Sequence, residues 1–299
     1  MDSSPDMGLF GPDSVTWKVH NEPIVTMGGL RSLYLQALHP RAVAAVAQNS
    51  DYRADPWGRL NRTSEYVGTV LYGSTTEVEA AASRVRRVHS RMSATDPRTG
   101  ESFRVDEPDL LRWVHVAEVE SFLTTARRAG LRLTDEEVDG YYTEQLRAAE
   151  LVGLDPSTVP GTAAEVAAYY ERMRPELGIT REAAETALFL TVPPVPEVWN
   201  SRAIRLSLTL GPARWAYFGI AGTAIALLPA WARKMYGGLG WPTTDLSADL
   251  SVRGLRLLMA AILATLPRQY RVTPMRRAAL ERARRRSRLI RHATTPVRE

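Results

Sequence analysis

Apolar residues recur every three or four positions along most of the chain, which is the spacing of amphipathic α-helices. The first run, LRSLYLQAL, follows Gly28–Gly29 and ends at His39–Pro40, because a residue before proline avoids the helical region. Short turns rich in proline, glycine and cap-type residues separate the later runs. Further helices are predicted at about 42–48, 59–71, 77–92, 109–129, 134–151, 163–173, 181–190, 199–208, 249–266 and 274–293.

No stretch shows a series of strands alternating every second residue, so the pattern predicts an all-α fold. Neither an internal repeat nor a clear linker divides the 299 residues, and we expect a single large helical domain over residues 1–299. Residues 1–13 are expected to form a flexible N-terminal arm. Residues 274–299 are expected to form a basic C-terminal helix and tail.

The segment Trp215–Ala232 is uncharged, and Arg214 and Arg233 flank it. Its length lies at the lower limit for a membrane span, but it contains two glycines and Pro229. We therefore expect a buried helix broken near Pro229, with a membrane-dipping surface element as the alternative. Since the N-terminus shows no secretory signal, a cytoplasmic protein with possible membrane association is expected.

Composition narrows the possible chemistry. Hydrophobic residues make up 44% and charged residues 24%, as in ordinary soluble proteins. The absence of cysteine excludes disulfides, thiolate metal sites and a cysteine nucleophile, so any iron must be held by histidine or carboxylate. Only Lys18 and Lys234 among 38 basic residues are lysines. This arginine bias reflects either a GC-rich genome or recognition of planar anionic groups.

His89 is the most informative of the five histidines. It belongs to an apolar stripe on one helix face, formed by Val78, Ala82, Val85, His89 and Met92. A buried histidine can be a hydrogen-bonded structural residue. A neutral imidazole on an apolar helix face is also what a proximal haem ligand requires.

The preceding helix carries an unusual polar face. Arg59, Arg62, Thr63, Tyr66 and Val70 share that face by their spacing. If the face is solvated, it is an ordinary helix surface. If it is buried, its guanidinium groups need an anionic partner, such as the propionates of haem or an oxygen-derived group.

The remaining histidines have simpler interpretations. His115 shares a helix face with Glu118, which either orients it or forms with it a polar pair between helices. His39, at a helix end, is expected to act as a cap. His20 and His292, near the termini, are expected to be solvated.

The basic tail lacks the aromatic residues typical of nucleic-acid binding, so no nucleic-acid partner is expected. The tail can instead form a helix docked on the protein or an amphipathic helix on a membrane surface, and its sequence fits these two possibilities equally well.

The chain resembles the haem-dependent oxygenase family that contains the bacterial latex clearing protein and the membrane-bound oxygenase of mycophenolic acid biosynthesis. The motifs that carry the resemblance lie between about residues 28 and 241, and are LRSLYLQALHP, DPWGRLNRTSEYVGTVLYGS, RVRRVHSRM, LLRWVHVAEVESFL and LPAWARKMYGGLGW. The resemblance implies a globin-like helical core around haem b, with O2 as co-substrate. His89 matches the proximal iron ligand, Arg59 and Thr63 match characteristic residues near the haem, and Arg86 and His115 match further family positions.

One position departs from the family pattern. Arg62 stands where the latex clearing protein has a lysine that reaches the distal side of the iron. Arginine does not readily lose its proton and is a poor ligand, so we expect an open or differently gated distal side. The polymer-cleaving activity of that enzyme is therefore not carried over.

The sequence thus predicts a haem b-dependent oxygenase that uses O2 on a small or lipophilic organic substrate. His89 would bind the iron; Arg59, Arg62, Thr63, Tyr66 and Arg86 would contact the cofactor; Arg59, Arg62, Thr63 and His115 would take part in catalysis. One alternative is a non-catalytic haem- or lipophile-binding protein. Another is an interaction protein whose basic tail contacts membrane or nucleic acid. The oligomeric state is left open.

Overall fold

A computed structural model describes residues 6–50, 55–193, 211–238 and 244–294. The all-α prediction is confirmed, whereas the helix expected at 199–208 lies outside the described residues. The described helices are α1 Val15–His20, α2 Val25–Gln36, α3 Pro40–Asn49, α4 Pro56–Tyr72, α5 Thr75–His89, α6 Pro108–Arg128, α7 Asp135–Leu151, α8 Ala163–Met173, α9 Arg181–Thr191, α10 Pro212–Ala226, α11 Ala230–Met235, α12 Asp245–Thr265 and α13 Pro274–Thr294.

A short hairpin between α5 and α6 was not predicted. Strands β1 (Ser93–Thr95) and β2 (Ser102–Arg104) pair antiparallel, with Ala94 opposite Phe103. Each strand has three residues, too few for an alternating pattern to be visible in the sequence. The hairpin rests on α3, where the Gln48 side chain exchanges hydrogen bonds of 2.9 and 2.8 Å with the backbone of Thr95.

Local capping chemistry explains several helix starts. Ser74 and Thr134 each form a capping box, with Glu77 at the start of α5 and Glu137 at the start of α7. The predicted capping role of His39 is confirmed. Its Nδ1 accepts a hydrogen bond from the backbone N–H of Ala42 at 3.4 Å, at the start of α3.

Helix α2 packs closely against α6. A Cβ on Gly28 would lie only 2.8 Å from the ring of Phe122 and 3.0 Å from its Cα, so only glycine fits at this contact. The indole of Trp113 on α6 donates a hydrogen bond of 3.1 Å to the carbonyl of Gln36 at the end of α2. These contacts hold the inner faces of the two helices together at both ends.

A buried ion pair lies at the centre of the same interface. The guanidinium of Arg31, which is 1% exposed, contacts the Glu120 carboxylate at 2.5 and 3.1 Å. Arg31 also donates to the Ser121 hydroxyl and to the carbonyl of Leu227. Tyr170 donates to Glu120 from α8. One arginine of α2 therefore connects α6 and the segment after α10, and the sequence analysis did not single it out.

Residues 6–13, the described part of the expected N-terminal arm, pack against the fold. Phe10 is 2% exposed and belongs to a buried cluster with Trp17 and Leu71. The carboxylate of Asp6 accepts hydrogen bonds from the backbone and hydroxyl of Thr75 at 2.7 and 2.8 Å. The segment is held because it covers apolar side chains of α1 and α4.

The uncharged segment forms a helix broken near Pro229, as predicted, but it is buried only in its second half. Helix α10 ends at Ala226, α11 begins at Ala230, and Leu227 and Leu228 between them are buried. Trp215, near the start of α10, is 70% exposed. Among the helices that the structure describes, none is both long and apolar enough to cross a membrane.

Helix α13 lies in the basic C-terminal region, and its first half is docked. Ala279 is buried in the cluster that contains Val70 and Leu71 of α4. The guanidinium of Arg282 donates to the carbonyl of Tyr72, at the end of α4.

Candidate functional site

His89 is the last residue of α5 and is half-buried. Burial lowers its pKa, and the nearby positive charge of Arg59 lowers it further, whereas the Asp106 carboxylate acts in the opposite direction. The imidazole is therefore neutral at pH 7. Because α4 and α5 form a helical hairpin, the first turn of α4 lies next to the end of α5, and this brings Arg59 within electrostatic range of His89.

The apolar stripe of α5 exists, but it opens towards its C-terminal end. Val78 and Ala82 are buried, while Val85, His89 and Met92 are half-buried. His89 thus lies where the stripe meets a more accessible region, rather than in the middle of a closed core. A side chain at this position can face a bound group and still be held by a rigid helix.

The polar face of α4 is largely solvated at its N-terminal end. Arg62 and Thr63 are exposed; Arg62 pairs with Asp55 at 3.3 Å, and the Thr63 hydroxyl donates to the carbonyl of Arg59 at 3.1 Å. Arg59 itself is half-buried. The argument from a buried guanidinium therefore does not apply to Arg62, and the cofactor roles of Arg62 and Thr63 stay predictions.

Tyr66 connects this face to the interior. Its pKa is raised to about 12, mainly by burial and also by the Glu118 carboxylate, whereas Arg86 acts in the opposite direction. Side chains of α4, α5 and α6 therefore lie within electrostatic range of one another around Tyr66. Arg86 also donates to the carbonyl of Leu151 at 2.5 Å and to Glu79 at 2.6 Å, so it joins α5 to α7.

His115 and Glu118 lie one turn apart on α6, deep within the fold. Burial lowers the pKa of His115 to about 4 and raises that of Glu118 to about 7. Both residues nevertheless keep part of their surface accessible to solvent. Within the described residues no hydrogen bond joins them, so the alternative of a structural His–Glu pair finds no support there.

The expectation that His20 is solvated is wrong. His20 is 8% exposed, its ring centre lies 4.6 Å from that of Phe122, and its Nε2 lies 3.3 Å from the hydroxyl of Tyr141. Its Nδ1 is buried and has no hydrogen-bond partner among the described residues. Burial lowers its pKa to about 3. Sequence position near the N-terminus was misleading, because α1 packs against α6 and α7. The side chain of His292 lies outside the described residues.

Asp106 is a neighbour of His89 that the sequence analysis missed. It lies in the loop between β2 and α6, half-buried, and accepts hydrogen bonds from Arg104 at 2.6 and 2.8 Å. Its charge reaches His89 only because the unpredicted hairpin folds back beside the end of α5. No local motif in the sequence indicates this proximity.

The enclosed position of Glu118 predicts a measurable pH effect. Its pKa of about 7 exceeds the ordinary value of 4.5, so the unfolded chain releases this proton earlier than the folded chain does. Wild-type stability should therefore lose a contribution as pH rises from 4.5 to 7. Glu118→Gln cannot ionise and should become more stable than wild type over that window, by about 2 kcal/mol above pH 7 once solvent screening of this half-buried side chain is allowed for.

Urea unfolding at several pH values measures this difference between Glu118→Gln and wild type. Glu150→Gln, at an exposed position of α7, serves as the matched control. A difference for Glu118→Gln that does not change between pH 4.5 and 7 would contradict an enclosed carboxyl group at this position.

Haem and a bare metal ion require different sets of protein donors. No group of three or more histidine or carboxylate side chains that could hold a metal ion occurs among the described residues. Haem iron does not need such a group, because the porphyrin supplies four donors and the protein one. The neutral His89 beside Arg59 offers the single donor that haem would need from the protein.

These elements define an α-helical protein with a neutral histidine and an arginine at the adjoining ends of two neighbouring helices. The family model described as "ER-bound oxygenase mpaB/B'/Rubber oxygenase, catalytic domain" matches residues 17–264. The chain belongs to this oxygenase family, and the resemblance found in the sequence is confirmed. No curated protein and no solved structure matches the chain significantly.

Proposed function

We propose that the protein is a haem b-dependent oxygenase that uses O2 on a small or lipophilic organic substrate, with His89 as the proximal iron ligand. Membership of an oxygenase family supports the reaction class. The observation that carries the finer proposal is the neutral, half-buried imidazole of His89 next to Arg59. A neutral ring has the lone pair that iron coordination requires.

The surroundings of His89 suit this role. Among the described residues no hydrogen bond engages its ring, so a ring nitrogen is available to a ligand. Arg59 would provide a cation for a carboxylate of the cofactor. The exposed Arg62 and Thr63 lie one turn further along α4, where they could contact the same group from the solvent side. Tyr66 and Arg86 would line the side of the site that faces the protein interior.

Glu118 and His115 of α6 would donate or accept protons. Glu118, with a pKa of about 7, can give or accept a proton near neutral pH, and His115 is neutral under the same conditions. Both residues are half-buried and could contact a substrate group. Haem, when bound, would supply the redox chemistry with O2, while the protein supplies ligation, hydrogen-bond donors and a dry pocket.

The test starts with the colour of the purified protein. Expression with added haem precursor should give a Soret band, and the loaded protein should consume O2 in the presence of a lipophilic alkene. A stably folded, colourless protein would refute the proposal. A Soret band without O2 consumption across a panel of lipophilic substrates would favour the alternative of a non-catalytic haem protein.

A further inference from the structure

The second half of α12 presents an apolar face to solvent. Leu257, Leu258 and Ile262 are 66%, 55% and 48% exposed. The first half of the same helix is anchored in the fold, where Ala248 and Val252 are fully buried. We call residues 257–266 the apolar segment. Such a concentration of exposed leucine and isoleucine on one helix marks an interaction surface.

Polar contacts fix the orientation of this helix. The Asp249 carboxylate accepts from Arg128 at 2.5 Å, and the Arg256 guanidinium contacts Glu22 at 2.6 and 3.2 Å. Arg253 donates to the carbonyl of Arg128 at 3.2 Å. Because these bonds hold α12 against α6 and the loop after α1, the exposed side chains of Leu257, Leu258 and Ile262 are kept at the surface.

Arginines gather at the end of the apolar segment. The guanidinium of Arg271 donates to the carbonyls of Ala264 and Leu266 at 2.7 and 2.8 Å, and Arg277 donates to the carbonyl of Gln269. Residues 250–294 contain twelve arginines and a single acidic residue, Glu281. The exposed arginines of α13 include Arg284, Arg285, Arg286 and Arg288.

The exposed apolar area and the excess of positive charge together indicate which kind of partner fits this surface. A second copy of the chain would bury the leucines, but it would bring two sets of arginines together without counter-charge. Nucleic acid would neutralise the arginines and leave the leucines in water. An anionic bilayer satisfies both, because leucines enter the acyl boundary while arginines remain at the headgroups.

We propose that the apolar segment of α12 and the arginines of α13 form a peripheral contact surface for an anionic lipid bilayer. The contact lies on the membrane surface, in keeping with the finding that no described helix is suited to cross it. This surface is separate from the His89 site and does not depend on the proposed cofactor. Each arginine near an anionic surface strengthens binding about fivefold.

Co-sedimentation with vesicles tests the proposal. The full-length protein should bind vesicles of phosphatidylcholine with phosphatidylglycerol, and should bind pure phosphatidylcholine vesicles much more weakly. Leu257→Ser/Leu258→Ser should reduce the partition coefficient about tenfold or more, because two side chains no longer enter the acyl region. Leu188→Ser on α9, where the leucine is also 66% exposed, is the matched control and should bind as wild type does.

A second variant tests the charge. Arg284→Gln/Arg285→Gln/Arg286→Gln should weaken binding to the anionic vesicles by at least about tenfold, and raising the salt concentration should act in the same direction. Unfolding curves of both variants should match wild type, since the altered side chains are exposed.

Three outcomes would overturn the proposal. The first is a wild-type protein that does not sediment with anionic vesicles. The second is binding that survives Leu257→Ser/Leu258→Ser. The third is a dimer in solution that these serines dissociate, which would assign the leucines to a second copy. A protein that retards DNA but ignores vesicles falls under the first outcome. Haem content is measured in parallel, so failure here is distinguishable from failure of the proposed oxygenase function.

Discussion

Replacing His89 with glycine is expected to abolish the Soret band of the purified protein, and added imidazole is expected to restore it. His89 would be the one protein ligand of the iron, so its loss should weaken haem binding by at least about 100-fold, more than changes beyond the ligand shell usually do. Glycine at the last position of α5 leaves space for free imidazole to bind in place of the side chain. Absorbance titration with haem, with and without imidazole, measures both effects.

A matched control removes a different imidazole. His39 caps α3, and asparagine is an effective capping residue, so His39→Asn should keep both the fold and the haem spectrum. If His89→Gly retains the band while His115→Gly loses it, the ligand lies on α6 instead, and the proposed role of His89 is wrong.

Replacing Arg31 with methionine is expected to destabilise the protein by about 3–5 kcal/mol, because it leaves the Glu120 carboxylate buried without its partner. Methionine roughly preserves the packing volume, so the loss should report mainly on charge and hydrogen bonds. Urea unfolding followed by circular dichroism measures it. The change should lower the unfolding midpoint without altering the helical content of the folded state.

Two further variants test whether the stability lost in Arg31→Met is due to the burial of its ion pair with Glu120. Adding Glu120→Gln to Arg31→Met removes the unpaired charge and keeps one carbonyl oxygen that can accept from Thr124 or Tyr170, so stability should partly return. Arg181→Met breaks an exposed pair with Glu185 and should cost less than about 1 kcal/mol. Equal losses for Arg31→Met and Arg181→Met would contradict the burial of the Arg31 ion pair.

Much of the helical framework could be read from local signals. The predicted helix over 163–173 coincides with α8, and the predicted break near Pro229 separates α10 from α11. These features depend on residues within a few positions of one another. Periodicity sets which face of a helix is apolar, and proline or a capping side chain sets where the helix begins or ends.

The hairpin and the N-terminal segment depend on distant partners. Strand β1 exists because β2 pairs with it and Gln48 of α3 binds its backbone. Residues near Phe10 are held because α1 and α4 offer apolar side chains to cover. Nothing within either segment indicates those partners, so composition alone suggested a loop and an arm.

The candidate site divides in the same way. Spacing alone placed His89 on an apolar stripe and grouped Arg59 with Arg62 and Thr63 on one face of α4. The structure then showed that Arg59 is half-buried near His89, whereas Arg62 and Thr63 are exposed. Asp106 lies near His89 only because the hairpin folds back beside the end of α5. Roles in cofactor binding stay predictions for all of these residues.

By itself, the sequence determined the helices, their caps and the direction of their apolar faces, because those properties arise from neighbouring residues. It also contained the family motifs, which depend on order and spacing. Only the tertiary structure decided which charges are buried. Arg31 is enclosed because Glu120, 89 residues away, and the carbonyl of Leu227 meet it in the core, while Arg62 remains in solvent. Burial is set by the packing of distant segments, which local spacing does not encode.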